Sequence, residues 1–348
     1  MTNHTPNKDV SAYACRMNIT NRFTPSPALA LAAIAISTLA FAQGLPPDAT
    51  PARGTPTVQP PVSPPTPSAI PDAEEGRDWS IKLTEIFATT EPVTVASGLK
   101  FAEGPLWWKD RLLVCDLGAS IMYTLVPSDE GEAKLTEFRN PSDQAAGAAL
   151  DDDGNLIAAH FAGHLSRTGT DGTVTKLADR MGEIKFGKCN DLIAHPSGVI
   201  FFTDFGGKES KGVFALAKDG TVSQVDPDFY AANGVAVSPD GKMLYAADYG
   251  NWIVKSYEVD ADGKTSNRRE IITLKGEKGR GRVDGLKVAP SGHILTTGPG
   301  GIWVLTADGK RHSRLPIAGG ASNLALGGAD GKTVFITSSD KVLSVKLK

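Results

Sequence analysis

Five polar side chains occupy one recurring position in this chain. Glu103, Asn190, Asn233, Asp284 and Asn323 each open a short apolar strand, and Ala146 holds the sixth copy of the position. A carboxylate or amide there costs free energy unless its oxygen finds a partner. Glu103, Asn190, Asn233 and Asp284 make an all-oxygen donor set with two formal negative charges, which suits a hard divalent cation and offers nothing to a soft one. Calcium is the first expectation, with magnesium or manganese behind it. Taken singly, such residues read as strand caps or as partners of one another. Four in one register of a repeat argue for a metal site.

The elements that must position them repeat along the chain. The segments AEGPLWWKDRLLVCD from Ala102, AAGAALDDDGNLIAAH from Ala145, CNDLIAHPSGVIFFTD from Cys189, ANGVAVSPDGKMLYAAD from Ala232, VDGLKVAPSGHILTTG from Val283 and SNLALGGADGKTVFITSS from Ser322 share one plan. Each starts on a small or polar residue, runs through an apolar strand, turns at Asp-Gly, Ser-Gly or Lys-Asp, and returns through a second apolar strand, which is hairpin chemistry. A second, more polar hairpin follows in five of the six, as in VFALAKDGTVSQVD and IWVLTADGKRHSRLPI. Four strands per repeat at this spacing predict an all-β, six-bladed β-propeller with antiparallel four-stranded blades. The last repeat ends one strand short at VLSVKLK, and PVTVASGL, ahead of the first hairpin, reads as the strand that completes it and closes the ring. A solenoid would need capping repeats, which are not seen; a β-sandwich would leave the regular spacing to coincidence. In a propeller the first strand of each blade lines the central channel, so the six openers face the axis.

Composition agrees. The 348 residues include 37 Gly and 23 Pro, too turn-rich for a helical protein, and the net charge of −3 is spread along the chain, leaving no basic face for nucleic acid. Residues 1–42 read as an export signal, with basic residues up to Arg22, the apolar run PALALAAIAISTLAFA, and small Ala40 and Ala42 before Gln43; Met17 is an alternative start. Residues 43–77 are Pro-, Thr- and Ala-rich and are expected to form an extended tether, with the propeller domain spanning 78–348. The protein is therefore expected outside the cytoplasm, periplasmic or secreted. Cys115 and Cys189 are too few for a disulfide framework and are expected as buried thiols.

From about Val93 to Lys348 the chain resembles the gluconolactonase group that includes regucalcin (senescence marker protein). The resemblance is strongest in FAEGPLWW, CNDLIAHPSGVIFFTD, NGVAVSPDGKMLYAAD and VDGLKVAPSGHILTTGPGGIWVL. These match the family's EGP, ND, NG and DG elements, and the resemblance implies that Glu103, Asn190, Asn233 and Asp284 surround a catalytic divalent ion. It also implies hydrolysis of sugar lactones to aldonic acids, with a small-molecule lactone as the partner. Separately, the protein is expected to be a monomer without stable membrane insertion once the signal is cleaved. Asp284 is the candidate general base. Lys188, His160 and Asn323 are candidates for substrate contact, Lys188 standing where many relatives carry Arg or Pro near the ND element. The second blade opens with Ala146-Gly147 where relatives often have Asn-Gly. Asp191 is expected to point away from the axis, Trp107 and Trp108 to pack within the blade, and His195 and His293 to face solvent. Other readings of the same site are a phosphotriesterase or arylesterase, or a non-catalytic binding propeller stapled by its ion.

Overall fold

The protein is described by a computed structural model covering residues 76–128 and 130–348; the expected signal and nearly all of the expected tether lie outside the described residues. Six four-stranded antiparallel sheets, each in simple meander order, form the blades of a propeller, with one short extra hairpin at Arg180–Met181 and Ile184–Lys185. The inner strands are Ala102–Trp108, Ala145–Leu150, Cys189–Ala194, Ala232–Val237, Leu286–Val288 and Asn323–Gly327, in blades 1 to 6. Blade 6 is completed by the N-terminal strand Val93–Ser97, paired antiparallel with Lys341–Lys346 as expected. This pairing gives both termini of the ring a partner and covers the edge of Lys341–Lys346 that would otherwise be open. The residues just before that strand also belong to the fold: Arg77, assigned to the tether, donates to the Thr273 carbonyl at 2.6 Å, and Ile81, Ile86 and Phe87 pack into the core of blades 5 and 6.

Between blades the sheets bury apolar faces against each other. Trp107 stacks on Phe335 of blade 6 at 5.5 Å between centroids, while Trp108 meets Phe138 of its own blade edge-on at 5.3 Å, so one tryptophan packs within its blade and the other across the seam. Cys115 and Cys189 are free and buried.

At the axis the inner strands approach backbone to backbone. Four of the six openers are followed by glycine, and a Cβ at Gly104 would lie 2.0 Å from the Ala146 carbonyl oxygen, one at Gly147 2.6 Å from that of Asn190, one at Gly234 2.4 Å from that of Asp284, and one at Gly285 2.3 Å from Asn323 Oδ1. The other two junctions are polar. Val235 donates to Asp191 Oδ2 at 3.2 Å between blades 3 and 4, and Ser322 donates to the Ala102 carbonyl at 2.7 Å between blades 6 and 1. Gly104 also sits at φ +43°, where a side chain is strained. Gly104→Ala is therefore expected to destabilise the propeller by at least about 3 kcal/mol, from backbone strain plus a clash that no rotamer relieves. Chemical denaturation would measure it, and a loss under about 1 kcal/mol would mean that the blades part without cost.

Candidate active site

The openers reach the axis through a shared irregularity. In blades 1 to 4 the pairing of the inner strand slips right at the opener, between Glu103 and Leu106, Ala145 and Gly147, Cys189 and Leu192, and Ala232 and Val235. In blade 5 Asp284 precedes the first paired residue, Leu286. A bulge releases a residue from strict alternation and re-aims its side chain. Threonines on the neighbouring strands pin the result: Thr297 Oγ1 accepts from Asp284 N–H at 2.9 Å, Thr337 Oγ1 from Asn323 N–H at 2.9 Å, and Thr203 Oγ1 from Asp191 N–H at 3.0 Å. Their recurrence in FFTD, LTTG and FITS was readable from the sequence.

Glu103, Asn190, Asn233 and Asp284 are all buried, with Asp284 the least so at 9 % exposure. Glu103 Oε2 accepts from the Gly104 N–H and from Asn323 Nδ2, both at 3.1 Å. Asn323 Oδ1 is taken by the Leu324 N–H at 2.8 Å, so this amide braces Glu103 and is not turned toward a substrate as expected. Asn233 bonds Asp284 through its side chain, yet Asn233 Oδ1 and Asp284 Oδ1 are buried with no hydrogen-bond partner. Buried polar oxygens are rarely left so.

Asp191 departs from expectation. The slip in its strand keeps its carboxylate among the axial groups, where Oδ2 is 3.4 Å from Lys287 Nζ and Oδ1 accepts from Leu192 N–H at 2.9 Å. Burial, above all, pushes the Glu103 carboxyl up to about 7, with the Asp191 charge adding to it. Asp284 is driven well above the ordinary carboxylate range by burial, then by the charges of Glu103 and Asp191. Three carboxylates thus share the axis with one ammonium, Lys287.

His160 lies apart from them. Its Nδ1 contacts the Asp143 carbonyl at 3.0 Å and its Nε2 Ser166 Oγ at 2.8 Å, so both ring nitrogens are spent inside blade 2 and none remains for the expected substrate contact. Asp143, His160 and His164 do bring ligand atoms within 4.8 Å of one another. The two imidazoles are stacked at 4.2 Å and 8°, however, and one ion cannot lie in both of two stacked ring planes. Burial, then the His164 charge, pulls His160 down to about 4, so it is neutral at physiological pH. His195 is buried, with Nε2 on the Gly241 carbonyl at 2.8 Å, and not solvent-facing as expected, because the turn that carries it tucks against the next blade.

The sequence profile of the SMP-30/Gluconolactonase/LRE-like region matches residues 101–340. The chain belongs to this family. A gluconolactonase from Zymomonas mobilis subsp. mobilis is 27 % identical over 307 residues, covering 78 % of this chain and 85 % of that protein. Pentonolactonase XacC of Haloferax volcanii is 26 % identical over 251 residues, 70 % of this chain and 84 % of the relative. A solved gluconolactonase from Xanthomonas campestris superposes with a TM-score of 0.68 at 22 % identity, over 76 % of this chain and 92 % of that one, which speaks to the shared fold.

Because the Glu103 carboxyl titrates near 7 in the folded chain and near 4.5 when unfolded, its contribution to stability is present in full below about pH 4.5 and is lost as pH rises through 7. In chelator, Glu103→Gln is expected to be more stable than the wild type at pH 8 by roughly 3 kcal/mol, and no more stable at pH 4. Denaturant melts of the two proteins at both pH values check this, and a constant difference would show that Glu103 is not held against its charge.

Proposed function

We propose that the protein is a divalent-metal-dependent lactonase that opens sugar lactones to their hydroxy acids, with Glu103, Asn190, Asn233 and Asp284 as the metal-holding residues. The observation that carries this is the pair of unpartnered buried oxygens, Asn233 Oδ1 and Asp284 Oδ1, among carboxyls whose proton affinity burial raises. Such a group lacks a cation rather than another donor. The all-oxygen chemistry fits a hard divalent ion, calcium first, then magnesium or manganese. Membership of a family whose relatives include a gluconolactonase and a pentonolactonase supports the substrate class.

When bound, the ion would supply a Lewis acid for the lactone carbonyl and lower the pKa of nearby water. The chain's own residues do the rest. Asn323 and the Gly104 N–H fix the rotamer of Glu103. Lys287 holds Asp191 in place across the axis, and Asp191 in turn takes the Val235 N–H, which fixes the strand that presents Asn233. Asp284 serves as the base. Without the ion, burial and two neighbouring carboxylates raise its proton affinity; a bound cation would lower it again. With Oδ1 turned to the ion, its Oδ2 takes a proton from the water attacking the carbonyl carbon and returns it to the ring oxygen as the acyl–oxygen bond breaks, so one water is consumed and one hydroxy acid formed. The leader-like run and the Pro-rich segment ahead of the propeller support its export on a tether.

The test is hydrolysis of D-glucono-δ-lactone with added calcium, with manganese, and with chelator. Turnover is expected only with metal, and Asp284→Ala is expected to lower kcat by at least about a hundredfold, the usual worth of a positioned base. If the wild type binds calcium and gains stability but opens neither this lactone nor an aryl ester or phosphotriester, the enzyme reading fails and a binding propeller remains.

A further inference from the structure

Around the end of the axis where the openers lie, an arc of tilted, neighbouring rings runs across blades 2 to 4, with a cation at each end. Phe161, Phe205 and Tyr249 each follow the second strand of their blade, and their N–H groups bond the carbonyls of Gln144, Lys188 and Ala231, each two residues before an opener. That pairing fixes the three rings at the level of the site. Lys188 Nζ lies 5.7 Å from the Phe161 ring, Phe161 lies 6.0 Å from Phe205, Phe205 lies 5.6 Å from Tyr249, and the Arg282 guanidinium is 5.0 Å from Tyr249 and 4.4 Å from Trp252. Arg282 itself stands two residues before Asp284, its carbonyl held by Thr297 Oγ1 at 3.0 Å and its Nη1 3.5 Å from the Tyr249 carbonyl. Burial and then the charge of Asp284 push the Tyr249 phenol up, which puts this wall within electrostatic reach of the site.

Both cations lack a carboxylate. Among the described residues neither Lys188 nor Arg282 forms an ion pair, whereas Arg77, Arg167 and Arg268 all do. The axis carries Glu103, Asp191 and Asp284 against Lys287, which a divalent ion would balance to zero. The two rim cations then remain as excess positive charge facing whatever enters. A guanidinium in contact with two rings is held in place with less rotamer entropy left to lose, and its fork is shaped for carboxylate or phosphate oxygens.

We propose that this arc sets substrate specificity, and that the protein prefers lactones carrying a negatively charged substituent, a carboxylate or a phosphoester. The sugar ring lies against Phe205 and Tyr249 while Arg282, with Lys188 opposite, meets the charge. The proposal rests on the lactonase reading for its chemistry.

Three δ-lactones that differ only at C6 test it: D-glucono-δ-lactone, its C6 carboxylate analogue (D-glucaro-1,5-lactone) and its 6-phosphate. The wild type at low ionic strength is expected to show a kcat/KM at least about tenfold higher for one or both charged lactones than for the neutral one, with the advantage shrinking as salt is added. Which charged lactone gains identifies the anion. In the Lys188→Gln/Arg282→Gln double variant the charged-to-neutral ratio falls to about one, and Arg282→Lys keeps part of it, since the charge survives but the fork does not. A ratio near one in the wild type, or one that the double variant leaves unchanged, overturns the proposal while leaving the lactonase reading intact. If none of the three is opened, the lactonase reading fails. The rim is then decided by calorimetric titration of wild type and double variant with glucarate and gluconate: a preference for glucarate lost in the variant upholds it, and equal binding overturns it.

Discussion

The structure depends on how closely six inner strands crowd around one axis. At most junctions there is no room for a Cβ, and Gly104, Gly147, Gly234 and Gly285 are what let each strand lie against the backbone of the next blade's opener. The crowding works in both directions. It buries the opener side chains at the axis, and it binds each blade to its neighbour, so a strain at one junction is felt by the whole ring. The EGP, NG and DG elements therefore carry two jobs in adjacent residues: a polar side chain aimed at the axis and a glycine that allows the blade to approach. Blade 3 solves the same problem differently, with Asp191 reaching the Val235 N–H in place of a glycine contact. The closing strand Val93–Ser97 completes the constraint, because a ring with an open seam could relax the crowding.

The same crowding makes the site electrostatically expensive. Three carboxylates and one ammonium are enclosed where water does not reach them well, and the structure shows the consequence in the raised proton affinity of Glu103 and Asp284 and in two oxygens with no partner. Unsatisfied groups of this kind lower stability and persist where binding or chemistry compensates. The hydrogen bonds that are present serve position rather than charge. Asn323 and the Gly104 N–H hold Glu103, and the threonines of the second strands hold the backbones of Asp191, Asp284 and Asn323. In blade 2 the opener is Ala146, and His160 takes the place that Asp204 and Asp248 hold elsewhere, with both nitrogens turned inward to its own blade. That side of the axis is therefore the less polar one, and the aromatic arc with its two cations begins beside it at Phe161.

The sequence by itself determined the architecture. Hairpin turns recur at blade spacing, apolar runs alternate with them, and the missing last strand is matched by a spare first one, all local signals that propagate into one closed ring because only neighbouring blades must fit. It also determined the four candidate ligands, since a polar residue repeated just ahead of an apolar strand is visible as a pattern. Tertiary structure alone decided what depends on register and on contacts between distant segments. Strand alternation sends Asp191 away from the axis, but a one-residue slip keeps it with the other carboxylates, and sequence periodicity cannot register a bulge. Asn323 reads as a substrate contact until its amide is seen bonded to Glu103, 220 residues away. His195 looks like an exposed turn residue until the next blade covers it. Lys287 has no charged counterpart at its position in the other inner strands, and although Phe161, Phe205 and Tyr249 recur at one position of their repeats, only the closed ring shows that they meet in one arc with Lys188 and Arg282 at its ends.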